Sequence, residues 1–175
     1  MTYIDDSSLS RYRGLNFLGL ISCISALAFA VIYLQQRLGL EPCPLCMASR
    51  LMVVALAATF LLAWLHNPRQ LGQRFYALLG ILLSLSGIGL NLRHIWLQSL
   101  PGDQVPECGP GLNYLLENFP LQQAFSIILS GSGECAEVQW TLFGLSLPQQ
   151  TLLLFLFLLS LQVTQFRKKK RSYFN

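Results

Sequence analysis

EPCPLCMASRLMVVALAATFLLAWL, residues 41–65, sets two cysteines two residues apart directly ahead of a long apolar run. From Met47 to Leu65 that run meets the roughly 17 to 25 helical residues a hydrocarbon core requires. Pro42 and Pro44 bias the residues before them away from helix, so the helix starts just after the cysteine pair and Cys46 falls near its N-terminus. A redox-capable pair of sulfurs is thus expected at the mouth of a membrane span.

The composition extends this reading to the whole chain. Apolar residues make up 53% of the sequence and charged residues 11%, against about a quarter charged in a soluble domain. Three further segments are long enough to cross: LNFLGLISCISALAFAVIYL (15–34), FYALLGILLSLSGIGLNL (75–92) and LPQQTLLLFLFLLSLQVTQF (147–166). Gly80, Ser84, Ser86, Gly87 and Gly89 in the third let helices approach closely in lipid, where packing drives association. Ser146 with Gln149 has the form of a capping box, and Pro148 suits a first turn, so the last helix is expected to start near Leu147. The expected fold is all-α: one integral membrane domain over residues 1–175, a four-transmembrane-helix bundle with outer loops at 35–46 and 93–146. The first segment follows Arg11 and Arg13 like a secretory signal, but its apolar stretch exceeds the usual signal core of about 7 to 15 residues. It reads as a retained span.

Charge sets the expected orientation. Arg11, Arg13, Arg69, Arg74 and the tail Arg167, Lys168, Lys169, Lys170 and Arg171 fall on one side of the four spans, and only Arg37, Arg50 and Arg93 on the other. By the positive-inside rule both termini are cytoplasmic and both cysteine-bearing loops lie outside. The net charge of +4 is mostly this asymmetry, so nucleic acid is not an expected partner; the lipid bilayer is, with the RKKKR tail as a topology anchor.

The long outer loop carries Cys108 in VPECGPG and Cys135 in GSGECAEVQW, each beside turn-forming Gly or Pro and so expected on accessible backbone. Between them Leu112, Leu115, Leu116 and Phe119 recur at helical spacing, closed by Pro120. This short amphipathic helix either lies on the membrane surface or packs over the bundle mouth.

Four of the five cysteines, Cys43, Cys46, Cys108 and Cys135, fall outside, where disulfides persist, and Cys23 reads as a small buried residue of the first span. A zinc site would want two close pairs or added histidines, whereas Cys108 and Cys135 are far apart and His94 is the only outside histidine; no metal is expected. Structural disulfides are a stronger reading, since a Cys108–Cys135 bridge would close a loop of about 28 residues for roughly 3 to 4 kcal/mol. A Cys-X-X-Cys bridge closes too small a loop for that logic. Its usual value is redox chemistry, because a helix N-terminus and a nearby cation stabilise the thiolate. Arg50, four residues after Cys46 and on the same helix face, supplies the cation. A charge at that depth needs a partner; snorkelling to the interface is the competing reading.

Taken together, Cys-Pro-Leu-Cys ahead of the second span with Arg50 four residues on, RHIWLQ after the third, and GECAEVQW followed by FGLSLPQQ resemble the DsbB family of bacterial inner-membrane disulfide-generating proteins. The resemblance covers nearly the whole chain in span order, loop lengths and cysteine spacing. It implies a quinone-dependent thiol oxidase that reoxidises a periplasmic DsbA-like thioredoxin-fold partner, the DsbA–DsbB–quinone chain being known to keep the periplasm oxidising. It further implies redox-active disulfides Cys43–Cys46 and Cys108–Cys135, with ubiquinone or menaquinone as cofactor. Cys108 would take the partner's attack, Cys135 would attack Cys43, and Cys46 would face the quinone with Arg50 stabilising thiolate and reduced quinone. His94 matches a family histidine near the quinone. Two features depart from the family pattern: Met47-Ala48-Ser49 stands where bulkier or acidic residues are common, which bears on quinone contacts, and Arg93 stands where an acidic residue can occur. The alternatives are a non-catalytic four-span protein with structural disulfides, and an enzyme of the vitamin K epoxide reductase type, in which the quinone-side pair comes late in the chain.

A partner near −120 mV cannot be reoxidised by an ordinary structural disulfide below roughly −300 mV, so such a relay needs strained or exposed bridges and a stronger electron sink. Lipid-soluble quinone is such a sink, which accounts for a sulfur pair set against oil. The topology is checked with a membrane-impermeant thiol reagent on reduced, intact spheroplasts. It is expected to label Cys43, Cys108 and Cys135 but hardly Cys23; labelling only after lysis would contradict the orientation.

Overall fold

The computed structural model describes residues 6–68, 70–101, 120 and 133–167. Four helices among them are long and apolar enough to cross a membrane. The first, α1 (Asp6–Ala28), continues without a break into a π-helical stretch, Phe29–Arg37. Helix α2 spans Pro44–His66, α3 Gln70–Gln98 and α4 Leu147–Phe166. Between α3 and α4 the described chain forms a 3₁₀ turn, Gly133–Cys135, and a hairpin of β1 (Thr141–Leu142) and β2 (Leu145–Ser146). The strands pair antiparallel, Thr141 opposite Ser146 and Leu142 opposite Leu145. Phe143 and Gly144 turn between them with φ of 52° and 78°, the left-handed pair a two-residue I′ turn requires. The amphipathic run 112–119 and Cys108 lie outside the described residues.

The helix ends follow from local chemistry. Pro44 occupies the first position of α2, where a missing N–H costs nothing, and Cys43 is its N-cap, so the helix starts between the two cysteines and not after the pair as expected, with Cys46 in its first turn. Asn67 ends α2 in the left-handed conformation (φ 39°), its N–H donating to the Ala63 carbonyl at 3.1 Å. At the start of α4, Gln149 Oε1 accepts the Ser146 N–H at 2.9 Å. The Ser146 hydroxyl makes no hydrogen bond, so the expected capping box is closed by its glutamine arm. Helix α3 runs past the expected end at residue 92 because nothing interrupts it before Pro101, and at ~1.5 Å per residue it is about 43 Å long, longer than a hydrocarbon core of about 30 Å. Residues 93–98, expected in the outer loop, are its last turns. The π-helical stretch likewise carries the first span to Arg37, so the connection to α2 is short.

Each helix packs through one stripe. On α3 the buried positions are Ala77, Gly80, Ser84, Gly87, Asn91, His94 and Leu97, spaced three or four residues apart as one helix face demands. A Cβ on Gly87 would run into the Phe155 ring, and one on Gly80 into the Gln162 side chain. These glycines are what allow α3 and α4 to close up, while Ser86 and Gly89, grouped with them by composition, face outward. Phe60 packs against Gly19 in the same manner between α1 and α2. Leu20, Cys23, Val53, Leu56, Phe60, Phe155, Leu158 and Leu161 form the main core. The outer faces are apolar, with Leu51 and Leu65 each 63% and Leu71 83% exposed, a surface that suits lipid and not water. Trp64 and Trp96 lie near helix ends, where aromatic residues anchor at the interface. Trp64 meets Arg13 near the chain termini, while Trp96 under Arg93, and Trp140, lie at the end that carries the cysteine pair.

Consecutive helices pack along their length, α1 on α2, α2 on α3 and α3 on α4, whereas α1 and α4 touch sparsely. The bundle therefore has one loose seam. The tight one yields a paired prediction. Gly87→Ala should lower thermal stability by about 1 to 3 kcal/mol, the usual cost of overpacking, and Gly89→Ala should leave it within about 0.5 kcal/mol. Equal melting behaviour of the two variants would contradict the packing.

Candidate functional site

The site is assembled by the first turn of α2 and the last turns of α3. Cys43 caps α2 in extended backbone (φ −64°, ψ 163°), and its sulfur accepts the Cys46 N–H at 3.4 Å. The N-terminal dipole of α2, which favours negative charge, thus points at this sulfur. The α3 stripe brings His94 alongside, its Nε2 3.9 Å from Cys43 Sγ across 51 residues of sequence. His94 is 4% exposed and Cys43 5%. The sulfurs of Cys43 and Cys46 and a ring nitrogen of His94 all lie within 4.8 Å of one another. Both cysteines are free thiols in this structure.

Cys135 enters the same cluster from the 3₁₀ turn. It is fully buried and packs with Cys43, Leu45 and Leu97. The turn residues around Cys135 predict accessible backbone, and the structure corrects that. The turn folds inward because the side chains that flank it, Leu45 and Leu97, form an apolar floor on α2 and α3. Burial of Cys43 and Cys135 slows their labelling by a thiol reagent without changing the side from which it arrives.

Two cavities meet at the sulfur pair. An inner cleft of about 90 Å³, several times the roughly 10 to 15 Å³ a single buried water needs, is walled by all four helices near the sparse α1/α4 seam. Its polar wall is Cys46, Ser49, Arg50, Asn91 and His94, with Thr151 opposite; Ala26, Leu27, Leu34, Val53 and Leu154 make it otherwise apolar. A smaller outer cavity of about 20 Å³ is bordered by Cys43, Cys46 and His94 and by Glu137, Gln139 and Trp140 of the loop. Cys46 and His94 line both cavities, Cys43 only the outer, Arg50 only the inner.

Arg50 does not run free to the interface. Its Nη1 donates to Gln35 Oε1 at 2.9 Å and its Nη2 to the Ala30 carbonyl at 3.3 Å, both on the π-helical stretch. Charge-assisted bonds of this kind hold a guanidinium in one orientation, here on the wall of the cleft. Asn91 Nδ2 donates to Ser49 Oγ at 3.3 Å and to the Gly87 carbonyl at 2.8 Å, so the Ser49 of Met-Ala-Ser joins α2 to α3 within the cleft while Met47 faces outward. Trp140 packs against Phe29 and Tyr33, with ring centroids 5.7 and 6.4 Å apart, tying the loop to α1 above the seam.

Of the residues singled out in the sequence, the structure brings Cys43, Cys46, Cys135, Arg50 and His94 to one end of the bundle; Cys108 is outside the described residues. Gln35, Ser49, Asn91 and Trp140 are additions. Ser49 and Asn91 had a signal, being polar residues inside apolar spans, three residues from Cys46 and His94 and on the same helix faces. Gln35 had none, because its reach to Arg50 depends on how α1 packs against α2.

The family model for disulfide bond formation protein DsbB matches residues 12–165. A protein of Nitrosococcus oceani named disulfide bond formation protein B is 55% identical over 146 residues, covering 83% of this chain and 86% of that protein. One of the same name from Methylococcus capsulatus is 48% identical over 164 residues, covering 94% and 99%. A third, from Hahella chejuensis, is 51% identical over 144 residues, covering 82% and 87%.

Proposed function

The chain belongs to the DsbB family of disulfide bond formation proteins, and from that membership we propose that it is a membrane thiol oxidase that reoxidises a periplasmic DsbA-like dithiol partner and delivers the electrons to a quinone. The observation that carries the proposal is the position of Cys46. It is the sulfur that borders both the loop-side cavity and the apolar cleft, so it can receive electrons from one and release them into the other.

The cleft fits a quinone head. A flat ring with two carbonyl oxygens needs apolar walls and a few donors, and small ligand sites generally combine the two. Arg50, Asn91, Ser49 and His94 are the polar groups at the walls, with Ala26, Leu27 and Leu154 among the apolar ones. The sparse α1/α4 seam suits entry of a lipid-soluble ring from the bilayer. Quinone when bound supplies a two-electron acceptor.

The chain's own residues carry the sulfur chemistry. A thiolate of the partner attacks Cys108 of a Cys108–Cys135 disulfide, forming a mixed disulfide and releasing Cys135. The Cys135 thiolate attacks Cys43 of the Cys43–Cys46 disulfide, so a Cys43–Cys135 bond forms and Cys46 leaves as thiolate; the common burial of Cys43 and Cys135 supports this pairing. Attack needs a deprotonated sulfur, which is Cys135 in this step; His94, 3.9 Å from Cys43, lies beside the sulfur that is attacked. Arg50, fixed by Gln35 and Ala30, presents positive charge to the cleft side of Cys46. The lysine and arginine distribution supports cytoplasmic termini in the bacterial inner membrane, with the cysteine end in the periplasm.

Two experiments test this. Arg50→Ala is expected to raise the KM for quinone and slow turnover by a combined hundred- to thousandfold, roughly 2 to 4 kcal/mol of lost stabilisation at a developing charge, while thiol exchange with the partner continues. Gln35→Ala, which frees Arg50 without removing it, should cost about tenfold, the scale of one hydrogen bond to a charged group. Unchanged quinone kinetics in folded Arg50→Ala protein would refute the role. Separately, a resolving-cysteine mutant of the partner should trap a mixed disulfide that Cys108→Ser abolishes; abolition by Cys135→Ser alone would reverse the two assignments.

A further inference from the structure

The cluster of Cys43, Cys46 and His94 has a donor set that electron relay does not require. Among the described residues it is the one group of three or more cysteine, histidine or acidic side chains whose donor atoms converge. From this geometry we propose that the reduced form of the protein binds a divalent metal ion of zinc's chemistry at Cys43, Cys46 and His94, and that oxidation of the cysteine pair abolishes the site.

The distances suit the ion. Zinc takes thiolate sulfur at about 2.3 Å and imidazole nitrogen at about 2.0 to 2.1 Å in a tetrahedron, which puts neighbouring donor atoms roughly 3.4 to 3.8 Å apart. Here the Cys43 sulfur and His94 Nε2 are 3.9 Å apart and no pair exceeds 4.8 Å, so closure needs movements of about 1 Å or less. Two thiolates and one imidazole with a fourth position open is an established three-ligand arrangement for zinc. The fourth position faces the outer cavity of about 20 Å³, room for about one water, and Glu137 borders the same space. Arg50, the nearby cation whose charge would oppose the ion, lines only the inner cleft.

Sequence spacing argues against zinc because the outer region has a single histidine and scattered cysteines. Folding removes the objection by delivering that histidine, 51 residues away, onto the Cys-X-X-Cys pair. Binding transfers no electrons: two S–H bonds are lost, two metal–sulfur bonds form, and two protons are released. With Cys43 and Cys46 joined as a disulfide neither sulfur is a thiolate, and the ligand set falls to His94 alone. Metal would therefore capture the relay only in its reduced state. Binding itself does not rest on the quinone reading; only the resulting inhibition of turnover does.

Cobalt(II) is the probe, added anaerobically to purified full-length protein carrying Cys108→Ser and Cys135→Ser, so that neither loop thiol can contribute. Reduced protein is expected to bind about one equivalent, with thiolate-to-cobalt charge-transfer absorption in the near ultraviolet, visible bands of a tetrahedral site, and displacement by zinc. The Cys43–Cys46 disulfide form should show none of these. His94→Ala and the bulkier His94→Gln, each verified as folded by circular dichroism, should weaken binding at least about tenfold and alter the visible bands. No thiolate–cobalt absorption in the reduced protein, or unchanged affinity in both folded His94 variants, would overturn the proposal. Neither quinone nor partner is present, so failure of the oxidase reading would leave this result standing, and the reverse.

Discussion

The backbone N–H of Cys46 points at the Cys43 sulfur 3.4 Å away, and that contact makes the first turn of α2 and the cysteine pair a single element. A helix leaves its first N–H groups without partners, and a side chain must satisfy them. Here a sulfur takes the place usually held by a serine or aspartate oxygen. Pro44 fixes where the helix begins, so the height of both sulfurs is set by the same residues that start the span. Everything else at this end is arranged around that turn: His94 from α3, Cys135 from the loop, and Arg50 one turn deeper.

The packing divides the bundle between holding and admitting. Glycines on α3 bring α4 close and make one rigid wall, and the buried stripe that starts with Ala77 and Gly80 continues without a change of phase into Asn91 and His94. The helix face that packs the bundle therefore also aims the polar groups of the site. On the other side α1 departs from regular α-helix over Phe29–Arg37. π-turns are uncommon and concentrate at functional sites. This one offers the Ala30 carbonyl and the Gln35 side chain to Arg50 beside the sparse α1/α4 seam. A charge inside a membrane span is costly unless paired, and the pairing comes from the helix that forms the edge of the cleft.

Much of this was legible in the sequence because the decisive signals are local. Span number and class follow from apolar run length, and the start of α4 from Ser146, Pro148 and Gln149, whereas α2 starts at Pro44, three residues ahead of the expected Met47, because a proline suits the first turn of a helix. The small residues of the third span pointed to close packing, but composition could not separate Gly80, Ser84 and Gly87, which face α4, from Ser86 and Gly89, which do not; that needed the helix phase. Hydropathy falls after Leu92 and so ends the expected third span there, while the helix, which depends on backbone bonds, continues to Gln98. The burial of Cys135 and the bond between Arg50 and Gln35 are tertiary, joining residues whose neighbours in sequence carry no trace of the contact. The turn residues near Cys135 predict accessibility because turn chemistry reports backbone shape and is silent on what the turn packs against.

The central claim is that Cys46 is the exit through which electrons leave the sulfurs for a lipid-soluble acceptor. An anaerobic single-turnover experiment tests it most directly: reduced partner dithiol is mixed with full-length protein and one equivalent of quinone, and quinol and partner disulfide are both counted. One quinol per partner disulfide is expected from the native protein, and none from Cys46→Ser, although that variant should still exchange disulfides with the partner. Quinol formation at the native rate by Cys46→Ser, or partner oxidation without quinol in the native protein, would contradict the account.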